Sequence, residues 1–352
     1  MVKPTAQCGT SARKRTVYFD VLNITACFGV VCMHFNGLTH TYAPTLAWRE
    51  ALFVDCFFYW GAPIFFMLTG ATLMSYREKY STREFFKRRF GKTLAPFLAW
   101  SLIALVWKVS TGQMQAPVGP RSLINLILNT QIIDIYWFFI PLFAIYLSMP
   151  LLSLLAKDRR ALIYGAMLAI ALNFVLPSLA SLVGINWNSS LSMPMLGGFL
   201  VFPVLGYLIK DREPTRRQRA LVYALGIAGF LARFIGTIIC SDKAGKLVGF
   251  MQGDHNIPFL VESVAVFLLA KSINWEAVFK TDVAKKRLAK ISGCSFGIYL
   301  IHMIVFWYGM RLTGLSGDSL AWRTAGPVVA YFLCLGITYV GKRIPGVKLL
   351  FP

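Results

Sequence analysis

Residues 17–37 read VYFDVLNITACFGVVCMHFNG. The stretch has the length of a bilayer-crossing helix, contains no proline, and is apolar except at a few positions. Those exceptions are Asp20, Asn23 and His34. At about 100° per residue, Asn23 and His34 fall within roughly 20° of one helix face, separated by a rise of about 16 Å. Polar and ionisable side chains at such depth are costly in lipid, so they face a polar interior. The first span therefore predicts a membrane bundle whose inside is polar along one line.

The rest of the chain repeats the pattern. Of 352 residues, 57% are hydrophobic and only 14% charged, with a mean hydropathy of +0.60. A soluble domain would carry about a quarter charged residues. The expected fold class is all-α: a polytopic membrane protein of about ten transmembrane helices. These fall near 16–36, 51–74, 94–111, 136–156, 161–184, 194–209, 220–240, 257–271, 292–310 and 325–341, the sixth and eighth being short. The whole chain, 1–352, reads as a single transmembrane domain, with 1–15 as a cytoplasmic N-terminal tail.

The net charge of +21 does not point to nucleic acid, because the basic residues sit in short loops between apolar runs. About 28 of them fall on one side of the expected spans and about 8 on the other, which places both termini in the cytoplasm. Seven cysteines lie mostly inside apolar segments, without CxxC or Cys/His spacing, so they read as packing residues. No metal site and no tightly bound cofactor is expected. The N-terminal run is interrupted by Asp20 and Asn23 and lacks a small-residue exit, so it is not read as a cleaved signal.

Two clusters carry potential chemistry. His34 ends the first span at the outer leaflet. Imidazole suits proton abstraction from a hydroxyl near neutral pH, although a lone intramembrane histidine also serves as an interhelical hydrogen bond. Asp55, about one turn into the second span, would lie level with it and orient its ring as a carboxylate does in hydrolytic triads. Glu262 and Asp134 lie at similar depth and stay open as alternatives. On the inner side, STREFFKRRFGKTLAPF (81–97) places Arg89 and Lys92 at i and i+3 on one helix face before Pro96. That pair reads either as a positive-inside anchor against lipid or as a clamp for a polyphosphate. His302 sits in mid-span, either lining a pore or making a structural hydrogen bond. Tyr136 and Trp137 open the fourth span as interfacial anchors that would also stack on a sugar.

The His-bearing first span, APIFFMLTGATLM (62–74), FFKRRFGKTLAPF (85–97), YWFFIPLFAIYLSMPLL (136–152) and SFGIYLIHMIVF (295–306) occur in the order seen in the acyltransferase 3 family. The chain resembles the stand-alone form of that family, without an SGNH hydrolase-like domain. The resemblance implies an integral-membrane O-acyltransferase, typically O-acetylating surface polysaccharide in a bacterial cytoplasmic membrane. His34 matches the family's essential histidine, and Arg89 and Lys92 match its RxxR, with Lys for the second Arg. Asn23 stands where the family carries a basic residue, and Thr69 replaces a serine in the stretch Pro63–Gly70. The implied donor is acyl-CoA, such as acetyl-CoA, held by Arg89 and Lys92. The acceptor would be a glycan or lipid-linked sugar, with Asp20 and Asn23 lining the passage between. The alternative is a transporter or flippase of a polysaccharide or lipid-linked sugar precursor.

Overall fold

The computed structural model describes residues 15–193 and 196–352. Residues 1–14 of the expected N-terminal tail, Cys8 among them, and the first two residues of the expected sixth span lie outside the described residues. The molecule is 76% helical, with no strand among the described residues. Its helices are α1 (Val17–Phe35), α2 (Leu46–Phe58), α3 (Gly61–Leu73), α4 (Thr82–Ser110), α5 (Gly119–Leu128), α6 (Phe139–Leu155), α7 (Arg159–Ile170) and α8 (Leu176–Leu182). They continue with α9 (Val201–Lys210), α10 (Arg216–Ala244), α11 (Ile257–Ser272), α12 (Trp275–Val278), α13 (Asp282–Ser292), α14 (Ser295–Thr313) and α15 (Leu320–Gly341).

Among the described residues, eight helical stretches are long and apolar enough to cross a membrane. The remaining two expected spans form α9 and α11, of 10 and 16 residues, and both are packed into the bundle. The outer faces stay apolar: Leu221, Leu225, Leu231, Ile235 and Ile239 of α10 are all exposed. A continuous apolar surface of that kind is the surface of a protein solvated by lipid. The chain is a multi-pass membrane protein.

Local chemistry sets several boundaries that hydropathy does not. The second expected span starts earlier, at Leu46, where the Thr45 side chain caps the helix by accepting from the Trp48 amide. It then breaks at Tyr59–Trp60 into α2 and α3. The third starts at Thr82, twelve residues before its apolar run, because Ser81 accepts from the Glu84 amide and the basic segment is already helical. α7 passes through a π-turn at Ala171–Val175 into α8. There Asn173 donates to the Ala169 carbonyl and accepts from the Met193 amide. α5 was not expected as a helix. None of its residues is buried, and Ile124 and Leu128 project outward, as in a helix lying at a membrane interface.

Close approach is purchased with glycine. A Cβ on Gly70 of α3 would sit 1.8 Å from the Pro203 carbonyl oxygen, and one on Gly206 of α9 would sit 2.0 Å from that of Met67. The two helices thus touch backbone to backbone, as small residues permit in lipid. Arg15 and the C-terminal residue share one face of the bundle. Arg15 and Asn23 bond to the 289–292 backbone, and Lys342 Nζ donates to the carbonyls of Gly293 and Pro352. Following the expected distribution of Lys and Arg, we call that face the inner one.

Candidate active site

Two cavities open into the bundle. The inner one, of about 570 Å³, lies between the start of α1, α3, α4 and the α13–α14 turn. Arg89 lines it, half-buried, with its Nε enclosed and without a hydrogen-bond partner. Lys92 does not line it. It is exposed at the rim, close enough for its charge to act on Lys342. Residues three apart on a helix differ by about 60°, and at the edge of the bundle that angle separates inside from outside. Of the expected clamp pair, Arg89 alone lines the cavity.

A second guanidinium reaches the same cavity from Arg15, a residue the sequence reading did not single out. Buried Asp20 holds it through two contacts, of 2.6 and 2.7 Å, so Asp20 lines the cavity as the partner of a cation. Asn23 also lines it, and its amide donates to the Ser292 carbonyl and hydroxyl at 2.8 and 2.9 Å. It fastens α1 to the α13–α14 turn.

The outer cavity, of about 430 Å³, is lined by His34, Asp55, Tyr59, Asp134, Trp137 and Asp254, among others. His34 and Asp55 are thus brought to one wall. Among the described residues, neither side chain has a hydrogen-bond partner, so the expected direct orientation of the imidazole by Asp55 is not made. The ring beside His34 is instead that of His302, with centroids 5.2 Å apart and planes tilted by 34°. His302 is fully buried and its Nδ1 lies 2.7 Å from the Tyr299 carbonyl. A carbonyl only accepts, so the proton is on Nδ1 and Nε2 carries the lone pair. That Nε2 is buried without a partner. His302 does not line either cavity; it backs the wall that carries His34.

Three other expected positions move. Tyr136 is buried away from both cavities, its hydroxyl donating to the Leu300 carbonyl at 2.7 Å, so it is no stacking surface. The Tyr299 hydroxyl bonds back to the Ile135 carbonyl, and the two tyrosines lock residues 134–138 onto α14. Trp137 points the other way, into the outer cavity. Glu262 lies outside that cavity, beneath a lipid-facing groove between α1, α2, α10 and α11. There it faces Arg233, whose charge acts on Glu262, Asp55 and Asp254.

Arg233 falls within the seventh expected span, 220–240. It is 1% exposed, its Cζ sits 3.2 Å from the Tyr59 ring centroid, and its Nε and Nη1 have no hydrogen-bond partner. The signal in the sequence was an arginine in an apolar helix beside Gly226, Gly229 and Gly236, which admit the neighbouring chain closely. In the outer loop, Asp254 accepts from the Tyr59 hydroxyl at 3.3 Å. Burial pushes its carboxyl up, opposed by His255, Tyr59 and Arg233.

Phe65, Phe138 and Tyr299 line both cavities. Phe138 lies 5.8 Å from Phe65 and 5.5 Å from Tyr299, centroid to centroid. The cavities thus meet back to back across an aromatic partition, with guanidinium groups on one side and His34 on the other. Among the described residues no group of His, Cys, Asp and Glu has the arrangement of a metal site, and the six described cysteines are free.

The chain matches the family model described as an acyltransferase domain over residues 16–341. No curated protein and no solved structure shows a significant match to it.

Proposed function

Because the chain belongs to the acyltransferase 3 family and is a membrane acyltransferase, we propose that it moves an acetyl group from cytoplasmic acetyl-CoA to a hydroxyl of an extracytoplasmic or lipid-linked glycan. The setting is the bacterial cytoplasmic membrane, and His34 is the general base. One observation supports this above the others: a cation-lined cavity and a histidine-lined cavity share a single thin wall.

Arg89 and Arg15 would meet the CoA phosphates at the inner mouth, where guanidinium groups form bidentate, charge-assisted contacts. Asn23 and Asp20 hold that mouth in shape. The uncharged pantetheine arm would pass the partition of Phe65, Phe138 and Tyr299 and bring the thioester to His34. The imidazole takes the proton of the acceptor hydroxyl as its oxygen attacks the thioester carbon. The C–O ester bond forms, the C–S bond breaks, and the departing thiolate takes up the proton. Asp55 and Asp134 lie on the same wall as acceptors for neighbouring hydroxyls. His302, protonated on Nδ1, fixes the packing behind His34. A glycan transporter would need a route through the partition wide enough for a whole sugar rather than a slender arm.

The test is His34→Gln, expressed in a host from which the gene has been deleted. We expect surface-glycan O-acetylation to fall by about a hundred- to ten-thousandfold, with acetyl-CoA binding to the purified variant intact. O-acetylation near the native level would remove His34 as the base.

A further inference from the structure

The two cavities carry opposite charge, and this bears on the chemistry of the acceptor. The inner cavity presents Arg15 and Arg89, with Asp20 paired to Arg15. The outer presents Asp55, Asp134 and Asp254 beside the imidazoles of His34 and His40, the latter acting on Asp55, and among the described residues no Lys or Arg lines it. The nearest cation, Arg233, is sealed behind Tyr59, with Glu262 as well as Asp55 in its field. Lys108 acts on Asp134 from outside, where its ammonium lies over the Trp307 ring.

A second observation points to a ligand. Asp55 is only 9% exposed, lines the cavity, and has no hydrogen-bond partner among the described residues. A carboxylate removed from water and left unbonded is expensive unless something that donates hydrogen bonds occupies the space before it. Trp137, 37% exposed on the same wall, offers an aromatic face. Carboxylate acceptors beside an aromatic face suit the hydroxyls and the apolar side of a sugar ring.

Resting on the acyl-transfer reading of this cavity, we infer that the sugar unit acylated at His34 is neutral or cationic, and that units bearing carboxylate, sulfate or phosphate are excluded. An anion entering here would lose its water and meet three carboxyl groups against two imidazoles, His34 and His40, with no Lys or Arg on the described lining. Fields of several kT in such a cleft change occupancy on the order of tenfold or more.

Ala62, half-buried on the outer wall, gives a probe position that adds a single thiol. Ala62→Cys protein in detergent is modified with a cationic and with an anionic methanethiosulfonate. Rates are referred to free cysteine, and the parent protein sets the background. We expect the cationic reagent to be favoured at least tenfold, and the preference to collapse when Asp134→Asn and Asp254→Asn are added. Equal rates, or an anionic preference, overturn the inference. If Ala62→Cys does not fold, Met33→Cys on the same wall carries the measurement. The readout needs no turnover. A cation preference in a protein whose His34→Gln variant still acylates would refute the base assignment and leave the charge selectivity standing.

Discussion

Replacing Gly70 by alanine adds one methyl group and should dismantle the bundle's tightest contact. The new Cβ would lie 1.8 Å from the Pro203 carbonyl oxygen, and real Cβ atoms are essentially never found within 3.0 Å of such a neighbour. α3 and α9 must therefore separate locally by at least 1.2 Å. The obstacle is backbone, so no rotamer change relieves it. Gly206 makes the reciprocal contact one turn away, with the Met67 carbonyl at 2.0 Å, and holds the helices to the same spacing. Overpacking of this kind costs about 1–3 kcal/mol where neighbours can yield, and here the cost should reach or exceed the top of that range. α3 also supplies Phe65 and Thr69 to the cavities, so residual folded protein should lose activity too. Gly91→Ala is the control. Nothing lies within 4 Å of its Cβ position, and an alanine in an exposed helix gains about 1 kcal/mol over glycine. The assay is thermal unfolding of purified protein followed by size-exclusion chromatography. Opposite signs for the two Gly→Ala variants are expected; a Gly70→Ala protein that melts with the parent would refute the packing argument.

Arg89→Ala should weaken acetyl-CoA binding about ten- to a hundredfold, while Lys92→Ala leaves it within a factor of two or so; equal losses in calorimetry would restore the paired clamp. Arg233→Met removes the cation stacked on Tyr59, whose charge also acts on Asp55 and Glu262, and should destabilise by about 2 kcal/mol, with Arg233→Met/Glu262→Gln recovering part of the loss in the same melts. Cysteines placed at 83 and at 40 should be labelled from opposite sides of intact vesicles, and labelling of both from one side would contradict the assigned faces.

Much of the architecture was legible because lipid imposes a simple rule: apolar runs of span length become helices. The rule is silent on interruptions. Tyr59 and Trp60 are as apolar as their neighbours, yet the chain breaks there and turns Tyr59 towards Arg233. The site was legible as a set of depths, and depth is only one coordinate. Glu262 lies at the depth expected but on a face turned to Arg233, and Tyr136 and Trp137, adjacent in sequence, point in opposite directions. Arg89 and Lys92 share a face by spacing, but only the bundle decides where that face meets its rim. Arg233 and Arg15 were hidden by a correct generalisation, since arginines near span ends do set topology. His302 was placed between two roles, and its tautomer became readable only once the Tyr299 carbonyl was found beside it.

The aromatic partition has an electrical consequence. A continuous aqueous path between two such cavities would leak protons and short-circuit the cell's energy store. Rings of phenylalanine and tyrosine are insulators, packed here at 5.5 and 5.8 Å centroid to centroid and too apolar to pass an ion. On the proposed pathway the charged part of the donor would stay on its own side, and what crosses would be an uncharged thioester arm that returns as an uncharged thiol. Moving one elementary charge across 100 mV is worth about 2.3 kcal/mol, and this chemistry moves none. Acylation should proceed at the same rate in energised and in depolarised vesicles.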